Sequence, residues 1–522
     1  MNEYVFGANI LENLTTGMYQ DSRVIYREYI QNACDQIDKA IHNGLLSKNE
    51  AKIQIWLDAD SRCISIEDNA TGIRASEFER TLANIADSDK KLGEDKGFRG
   101  IGRLCGLAYC RELIFTTTAK GENIISIMKC DAAKMRALIS ENERGQKHTA
   151  NDVLHNIYSF DTKPTSDLDS HWFKVELIDI NIENKDLLDF REIKDYLSFV
   201  APVPYQNTFI YQTEIYNHAK EINYLIDEYQ IFLNGEPIFK KYKTTFKTRN
   251  GEDKIFGIEC KDILDNHNNL LAWVWIGVSR FKAVISKDCN MRGLRLRKEN
   301  IQIGNEDALQ KLFKEDRGHH YFIGEVFAVS KDLIPNSQRD YFNENETRLI
   351  FERELRSYFN NDLHRIYRDG SDINSAFKKI EDYEKKEAEF TAKKQKGDYV
   401  NDAHLKTAED AVAKAKSAAE KAKITIEKKK QKASDDPNSL VNKVIARIES
   451  ERNQCPAPTT NPSPVKAASK KKKNVWRTDD PRLSAYSGKE RKLISKIFGV
   501  IVASTDEKTA EMLIEKIEDE LQ

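Results

Sequence analysis

The fold is decided by one stretch near the start of the chain, YREYIQNACDQIDK at residues 26–39. Its spacing predicts a helix, with Ser22 as the N-cap, that places Glu28, Asn32 and Asp35 on one face. A carboxylate one turn from a carboxamide suits hydrolysis, because the carboxylate accepts a proton from water and the amide oxygen ligates a hard cation such as Mg²⁺. Taken alone, the same residues are better explained by a solvated polar face.

A second motif, ISIEDNATGI at residues 64–73, indicates a strand that ends in an acid and a turn of small residues. The carboxylate of Asp68 can accept a hydrogen bond from the amino group of a base. Gly72 would let the backbone approach a ligand closely. A plain turn leading into a helix explains the motif equally, since Asp, Asn and Gly favour turns.

A third motif, KGFRGIGRL at residues 96–104, is rich in glycine. The spacing of Gly97, Gly100 and Gly102 frees several backbone N–H groups to face one anion. No strand leads directly into the motif and no lysine-serine pair ends it, so it predicts neither a dinucleotide fingerprint nor a P-loop.

The chain of 522 residues is too long for one compact core. Its 82 Lys and Arg against 84 Asp and Glu leave a net charge of −2, which argues against a protein coated with positive charge to bind nucleic acid. No run of 18 apolar residues predicts a membrane span, and the acidic start does not read as a signal peptide. The eight cysteines form no C-x-x-C pair and have no histidine cluster at metal-ligand spacing beside them, so we expect neither a zinc site nor a disulfide framework. A reducing cytoplasm is the natural compartment for such a chain.

The chain divides by composition into five parts. Two regions mix helix and strand periods, and the second includes strands at Leu271–Ile276 and Tyr321–Val326. An Ala, Lys and Glu-rich region predicts long, charged helices in a hairpin or coiled coil. A Pro-rich linker and a short amphipathic tail follow. The predicted boundaries are 1–180, 181–370, 371–454, 455–481 and 482–522, and the predicted class is α+β.

Together and in this order, the three motifs resemble the GHKL ATPase superfamily. The resemblance is greatest to the heat-shock-protein-ninety (HtpG-like) chaperones, while the GFRG step at residues 97–100 has a MutL- or MORC-like character. It implies a Bergerat-type α/β sandwich that binds ATP at residues 1–180 and a middle (transducer) domain at residues 181–370. The tail would then serve dimerisation or the docking of a partner.

The resemblance also implies a role for each matching residue. Glu28 would be the base that deprotonates the attacking water, and Asn32 would ligate the magnesium ion that accompanies ATP. A mobile lid would span about Ala86 to Arg99. The residues implied in nucleotide binding are Asn32, Asp35, Asp68, Gly72, Gly97, Arg99, Gly100, Ile101 and Gly102.

Two departures from the family pattern concern the adenine pocket. Ala70 stands where the family usually carries its first glycine, and an extra methyl group would narrow the turn. The family's Gly-Thr step is absent from the matching place, residues 171–177. Thr116, Thr117 or Ser170 are the candidates to replace its threonine.

Two cationic segments of the second region stay open to more than one interpretation. DLIPNSQRD, at residues 332–340, resembles the middle-domain segment of the chaperones in which an arginine, here Arg339, reaches the γ-phosphate. A surface ion pair with Asp340 or Glu344 is the alternative. RGLRLRKEN, at residues 292–300, predicts a strand whose cations face acidic substrate, nucleic acid or, by preference, solvent.

The resemblance implies an ATP-driven dimeric clamp in the cytoplasm: a slow, magnesium-dependent ATPase that acts on a protein client. The second choice is a nucleic-acid-associated clamp of the MutL or MORC kind. The glycine motif, the cationic strand and a lysine run at residues 470–473 favour it. A regulatory or defence module that uses ATP as a switch is the third.

Overall fold

The structure is a computed structural model that describes residues 5–15, 17, 21–85, 100–432 and 440–454, and beyond these the positions 490, 493–494, 497–498, 501, 512–514 and 516–517. The chain forms two compact units, Met1–Asn453 and Gln454–Gln522. The larger unit mixes sheets and helices, so the predicted α+β class is confirmed.

The first sheet has eight strands in the order β5-β4-β3-β6-β2-β1-β7-β8. All neighbours are antiparallel except β1 and β7, which run parallel. The bounds are β1 Lys52–Asp58, β2 Cys63–Asp68, β3 Cys110–Thr118, β4 Ile124–Asp131, β5 Tyr158–Pro164, β6 Trp172–Ile180, β7 Gln230–Leu233 and β8 Glu236–Pro237. β7 and β8 follow the predicted boundary at residue 180, so the chain returns to the first sheet. The five-part division itself stays a prediction.

Alternation decides which face of this sheet is buried. Ile53 and Ile55 of β1, like Ile64 and Ile66 of β2, point to the core, while the residues between them are more exposed. The sequence also predicts two strand pairs, Ile53–Leu57 with Cys63–Ile66 and Leu113–Phe115 with Ile124–Ile127, and both are confirmed as antiparallel pairs.

Helices cover the buried face of the first sheet. Among the described residues, six helices contribute to its core: α1 Asn9–Leu14, α2 Val24–His42, α3 Ala75–Ala83, α4 Ala132–Glu143, α5 Ala150–Ile157 and α6 Phe190–Val200. Helix α7, Gln212–Glu221, packs instead in a separate core with Trp273 and Trp275. Two 3₁₀ helices, Gly102–Ala108 and Ile182–Leu188, connect them. Ser22 is not the N-cap of α2, because that helix begins after Arg23 and the Ser22 hydroxyl donates to Asp186 (3.4 Å).

Two further sheets follow. A pair is formed by β9 Thr245–Thr248 and β10 Gly251–Lys254. The five-stranded sheet has the order β11-β12-β15-β13-β14. Its strands are β11 Gly257–Leu264, β12 Leu270–Val278, β13 Gly293–Lys298, β14 Ile301–Gln302 and β15 Ile323–Ala328. β15 begins two residues later than predicted, because Tyr321 and Phe322 still hydrogen-bond back to helix α8, Asp316–His319.

The expectation that the charges of the cationic strand face solvent is wrong for the arginines of β13. Arg297 is fully buried, and its guanidinium donates to the carboxylate of Glu325 on β15 and to the carbonyl oxygen of Phe199 (2.7 Å). Burial alone would raise the pKa of Glu325, but Arg297 and Lys240 hold that pKa at about 2. Arg295 is also buried and donates to Gln302 (2.8 Å). The arginines pair internally because they lie on the face of β13 that Phe199 of α6 covers.

The Ala, Lys and Glu-rich region is helical as predicted. Helix α9 spans Glu346–Tyr358, a π-helical turn spans Phe359–Leu363, and α10 His364–Lys396 and α11 Asp402–Lys432 form a hairpin that turns at Gly397. Ala415, Ala419, Ala422 and Ile426 supply a thin buried stripe on α11. Helix α12, Leu440–Gln454, ends the region.

The predicted linker at 455–481 lies outside the described residues, as does most of the tail at 482–522. The tail positions that are described are helical, and Phe498 and Ile514 are buried there. Among the described residues, no helix is both long enough and apolar enough to cross a bilayer.

Candidate functional site

Helix α2 forms one wall of a cleft of about 590 Å³ above the first sheet. The cleft brings together residues from the three motifs and from the segment at 332–340. The predicted site residues that line it are Glu28, Asn32, Asp68, Gly72, Gly100, Ile101, Gly102 and Arg339. Sequence positions more than three hundred residues apart therefore meet in one cavity.

Glu28 lies at the end of the cleft where the distant segment enters. It is 8% exposed, and its Oε1 lies 3.8 Å from Nε of Arg339 and 3.5 Å from Nη2 of Arg27. Within the described residues, Oε1 has no hydrogen-bond partner. This buried oxygen has two cations close by and is hydrogen-bonded to neither. It can therefore accept a hydrogen bond from a bound water or substrate group.

Arg339 reaches this position from a constrained backbone. Its φ is +54°, in the left-handed region that a side chain with a Cβ seldom adopts. Burial lowers the pKa of the guanidinium from its usual value, while Glu28 opposes that shift. The Arg339 side chain is only 11% exposed, which argues against the alternative of a surface ion pair. Asp340 accepts from Asn336, and Glu344 lies 4.0 Å from Arg348.

Arg27 joins the same segment to α2. Its Nη2 donates to the backbone oxygen of Gln338 (3.1 Å), one residue before Arg339. Pro335, Asn336 and Ser337 also line the cleft. The loop is therefore held against α2 by main-chain as well as side-chain contacts.

The glycine motif packs directly against Glu28. A Cβ on Gly102 would come within 2.6 Å of Glu28 Oε2, so only glycine leaves the carboxylate in place. Gly100 has φ +66°. The 3₁₀ helix that begins at Gly102 continues from this contact.

Asp68 lies at the opposite end of the cleft, on the last residue of β2. It is 4% exposed, and its Oδ1 accepts from the backbone N–H of Ala70 (3.0 Å). Burial raises the pKa of Asp68 to about 7, against the lowering effect of the Ala70 hydrogen bond. A donor from a ligand would favour the ionised form, since hydrogen bonds to a carboxylate stabilise its charge.

Gly72 is required by its surroundings. Its φ is +62°, and a Cβ there would lie 1.9 Å from the backbone oxygen of Thr118. The turn is fixed by Thr117, whose hydroxyl accepts from the N–H of Ile73 (3.0 Å) and donates to the oxygen of Trp172 (2.6 Å). Of the three candidates, Thr117 therefore holds the turn beside Asp68, although it does not line the cleft.

The floor of the cleft is apolar. Phe115 of β3 and Phe173 of β6 have ring centroids 6.0 Å apart, and Ile66 and Val175 lie on the same floor. Phe173 and Val175 belong to the stretch that lacks the Gly-Thr step. A flat heterocycle would fit such a floor, with Asp68 at its rim.

One predicted residue that the structure describes does not line the cleft. Asp35 is buried on α2 and is not among the lining residues, so its role stays a prediction. Gly97, Arg99 and the predicted lid at 86–99 lie outside the described residues.

Part of the chain that forms this cleft matches a known family. Residues 25–161 match the family described as histidine kinase-, DNA gyrase B-, and HSP90-like ATPase. These residues have the GHKL ATPase fold. The match contains α2 and the three motifs and ends within β5.

Chaperone proteins named HtpG are similar to part of the chain. The protein from Chromobacterium violaceum is 30% identical over 131 residues, which cover 22% of this chain and 21% of the relative. That from Halalkalibacterium halodurans is 27% identical over 129 residues, with the same coverage. That from Coxiella burnetii is 33% identical over 85 residues, 15% of this chain and 13% of the relative. The chain thus matches about a fifth or less of these relatives' length.

Sequence reasoning missed several residues of the GHKL cleft. Arg27 carried no signal beyond its place beside Glu28, and its role depends on a loop far along the chain. Phe115 and Phe173 looked like ordinary core residues, because alternation in a strand does not say which buried ring faces a cavity.

Proposed function

We propose that this chain binds ATP in the cleft and hydrolyses it with magnesium. The observation that carries the proposal is the meeting of Glu28 and Arg339 at one end of a cleft whose other end holds Asp68. Asp68 at one end suits a nucleobase, and the Glu28–Arg339 pair at the other end suits the phosphates of a nucleoside triphosphate. The GHKL fold of residues 25–161 supports the same assignment.

At the phosphate end, each residue would have one task. Glu28 would orient a water molecule and take its proton, since Oε1 has no hydrogen-bond partner among the described residues. Arg339 would stabilise the charge that develops on the transferring phosphoryl group. Asn32, one turn after Glu28, would hold the magnesium ion, which would supply charge neutralisation at the phosphates.

At the base end, Asp68 would accept a hydrogen bond from the exocyclic amino group of adenine. Gly72 would bring the backbone of the turn beside the ring, in a conformation that only glycine adopts because a Cβ would collide with Thr118. Phe115 and Phe173 would form the apolar surface under the base. Gly100, Ile101 and Gly102 would contact the phosphates next to Glu28.

We further propose that nucleotide turnover drives a slow dimeric clamp that acts on a protein client in the cytoplasm. The docking of the 332–340 segment on α2 through Arg27 and Arg339 supports this part of the proposal. Such docking would couple the nucleotide to the position of the five-stranded sheet. Closure rather than chemistry would then limit turnover.

A clamp that acts on nucleic acid is less well supported. Its main structural argument was the cationic strand, and Arg295 and Arg297 of that strand are buried in internal contacts. The lysine run at 470–473 lies outside the described residues.

The binding half of the proposal is tested by calorimetric titration of the full chain with ATP and magnesium. Asp68→Asn should weaken binding strongly, because the amide oxygen would keep the hydrogen bond from Ala70 and the NH2 group, a donor, would face the amino group of adenine. Glu67→Gln, the neighbour on the other face of β2, is the matched control and should bind like the parent. Equal affinity in the Asp68 variant would refute the base-end assignment.

A further inference from the structure

A cluster of three side chains lies outside the nucleotide cleft, at the start of β13. Asp307 belongs to the loop after β14, His319 is the last residue of α8, and His320 follows it. The Oδ1 of Asp307 lies 3.6 Å from Nδ1 of His319 and 3.3 Å from Nε2 of His320. One ligand atom from each residue lies within 4.8 Å of the other two.

These separations suit a small metal ion. Zinc binds imidazole nitrogen and carboxylate oxygen at about 2.0–2.2 Å, and a tetrahedron of that size has edges of about 3.3–3.6 Å. Two imidazoles and a carboxylate also form a ligand set that zinc accepts with a fourth position left for water. Asp307 and His320 are partly exposed, so that position has access to solvent.

His319 supplies an independent indication of a ligand. Its side chain is fully buried, and within the described residues its Nδ1 has no hydrogen-bond partner. The nearest acceptor, Asp307 Oδ1 at 3.6 Å, is too distant for a hydrogen bond. A buried ring nitrogen without a hydrogen-bond partner is unfavourable, and a metal on Nδ1 would remove that cost.

The ring of His319 is also held in one orientation. The N–H of Leu294 donates to its Nε2 (2.9 Å), and the carbonyl oxygen of Leu294 lies 3.3 Å from the same nitrogen. A metal on Nδ1 would require the tautomer with the proton on Nε2, which would donate to that oxygen instead of accepting from the N–H. Gly293 makes room for the ring, since its φ is +92° and a Cβ there would lie 2.5 Å from Cε1 of His319.

We propose that Asp307, His319 and His320 form a binding site for a divalent transition metal. Zinc is the ion that this ligand set fits. The loop that carries Asp307 also supports the nucleotide cleft, because the N–H of Gly304 donates to the backbone oxygen of Arg339 (2.8 Å). The metal would thus fasten this loop to β13 and α8, beside the residue that holds Arg339. The site does not depend on the ATPase proposal.

The test is a zinc titration of the full chain after removal of metals with a chelator. A chromogenic chelator reports the competition for zinc, and thermal unfolding gives a second readout. The parent should take up one tightly held zinc and unfold at a higher temperature with it. His320→Gln and Asp307→Asn alter partly exposed ligands, so they should fold, and each should lose more than about 100-fold in zinc affinity.

The matched control is His218→Gln. His218 Nε2 lies 2.9 Å from Asp262 Oδ1, a His–Asp pair to which the described residues add no third ligand. This variant should keep the zinc affinity and the thermal shift of the parent. Absence of zinc binding by the parent, or equal binding by His320→Gln, would overturn the proposal, while leaving ATP binding as a separate question.

Discussion

Arg339 and Glu28, separated by 311 positions in the chain, lie with Nε and Oε1 3.8 Å apart. This distance is longer than a hydrogen bond, and both residues line the cleft. The pair joins the segment at 332–340 to helix α2. It gives the proposed ATPase a base and a charge-stabilising group that come from different parts of the chain.

Replacing Arg339 should separate binding from turnover. Arg339→Ala should keep the affinity for ATP within a few-fold but lower kcat by about 100-fold or more, because the group acts on charge that develops in the transition state. Calorimetry and a phosphate-release assay measure the two quantities. Arg348→Lys, which alters a nearby arginine bonded to Phe342, is the control and should leave turnover unchanged. Turnover at the parental rate in Arg339→Ala would remove this residue from the mechanism.

The affinity for ATP should depend on pH through Asp68. Burial raises the pKa of that carboxyl to about 7, and an amino donor from the ligand would lower it again. Binding should therefore release a proton near neutrality. The affinity should fall by up to about tenfold per pH unit below 7 and level off above it. Titrations in buffers of different ionisation enthalpy check the proton count, and an affinity that falls as pH rises through 7 would contradict the sign.

Gly72→Ala should destabilise the fold and abolish binding. The added Cβ would lie 1.9 Å from the oxygen of Thr118, and the residue would also have φ +62°. We expect a loss of at least about 2 kcal/mol in the free energy of unfolding by urea. Gly44→Ala isolates the backbone cost, because Gly44 has φ +70° but no atom within 4 Å of its Cβ position. It should lose only about 1 kcal/mol. Equal losses in both variants would show that the close contact is unimportant.

Local patterns were enough to predict much of this structure. The alternation at Ile53–Leu57 and Cys63–Ile66 gave β1 and β2, and the spacing of Glu28 and Asn32 placed both on the cleft wall. These features depend on neighbours along the chain, where the helix and strand periods act.

Features made by distant residues were not predictable in the same way. Arg297 looked like a solvent-facing cation until β15 placed Glu325 opposite it. The return of β7 to pair with β1 depends on an approach between residues 52 and 230 that no local pattern records. The meeting of Asp307 with His319 and His320 is of the same kind.

The most direct test of the proposed ATPase is phosphate release by the purified full chain with magnesium at saturating ATP. The parent is compared with the Glu28→Gln variant. The substitution keeps the size of the side chain and removes its basicity. We expect slow turnover by the parent. The Glu28→Gln variant should bind ATP normally but hydrolyse it at least about 100-fold more slowly. Hydrolysis by Glu28→Gln at the parental rate, or failure of the parent to bind ATP, would contradict the proposal.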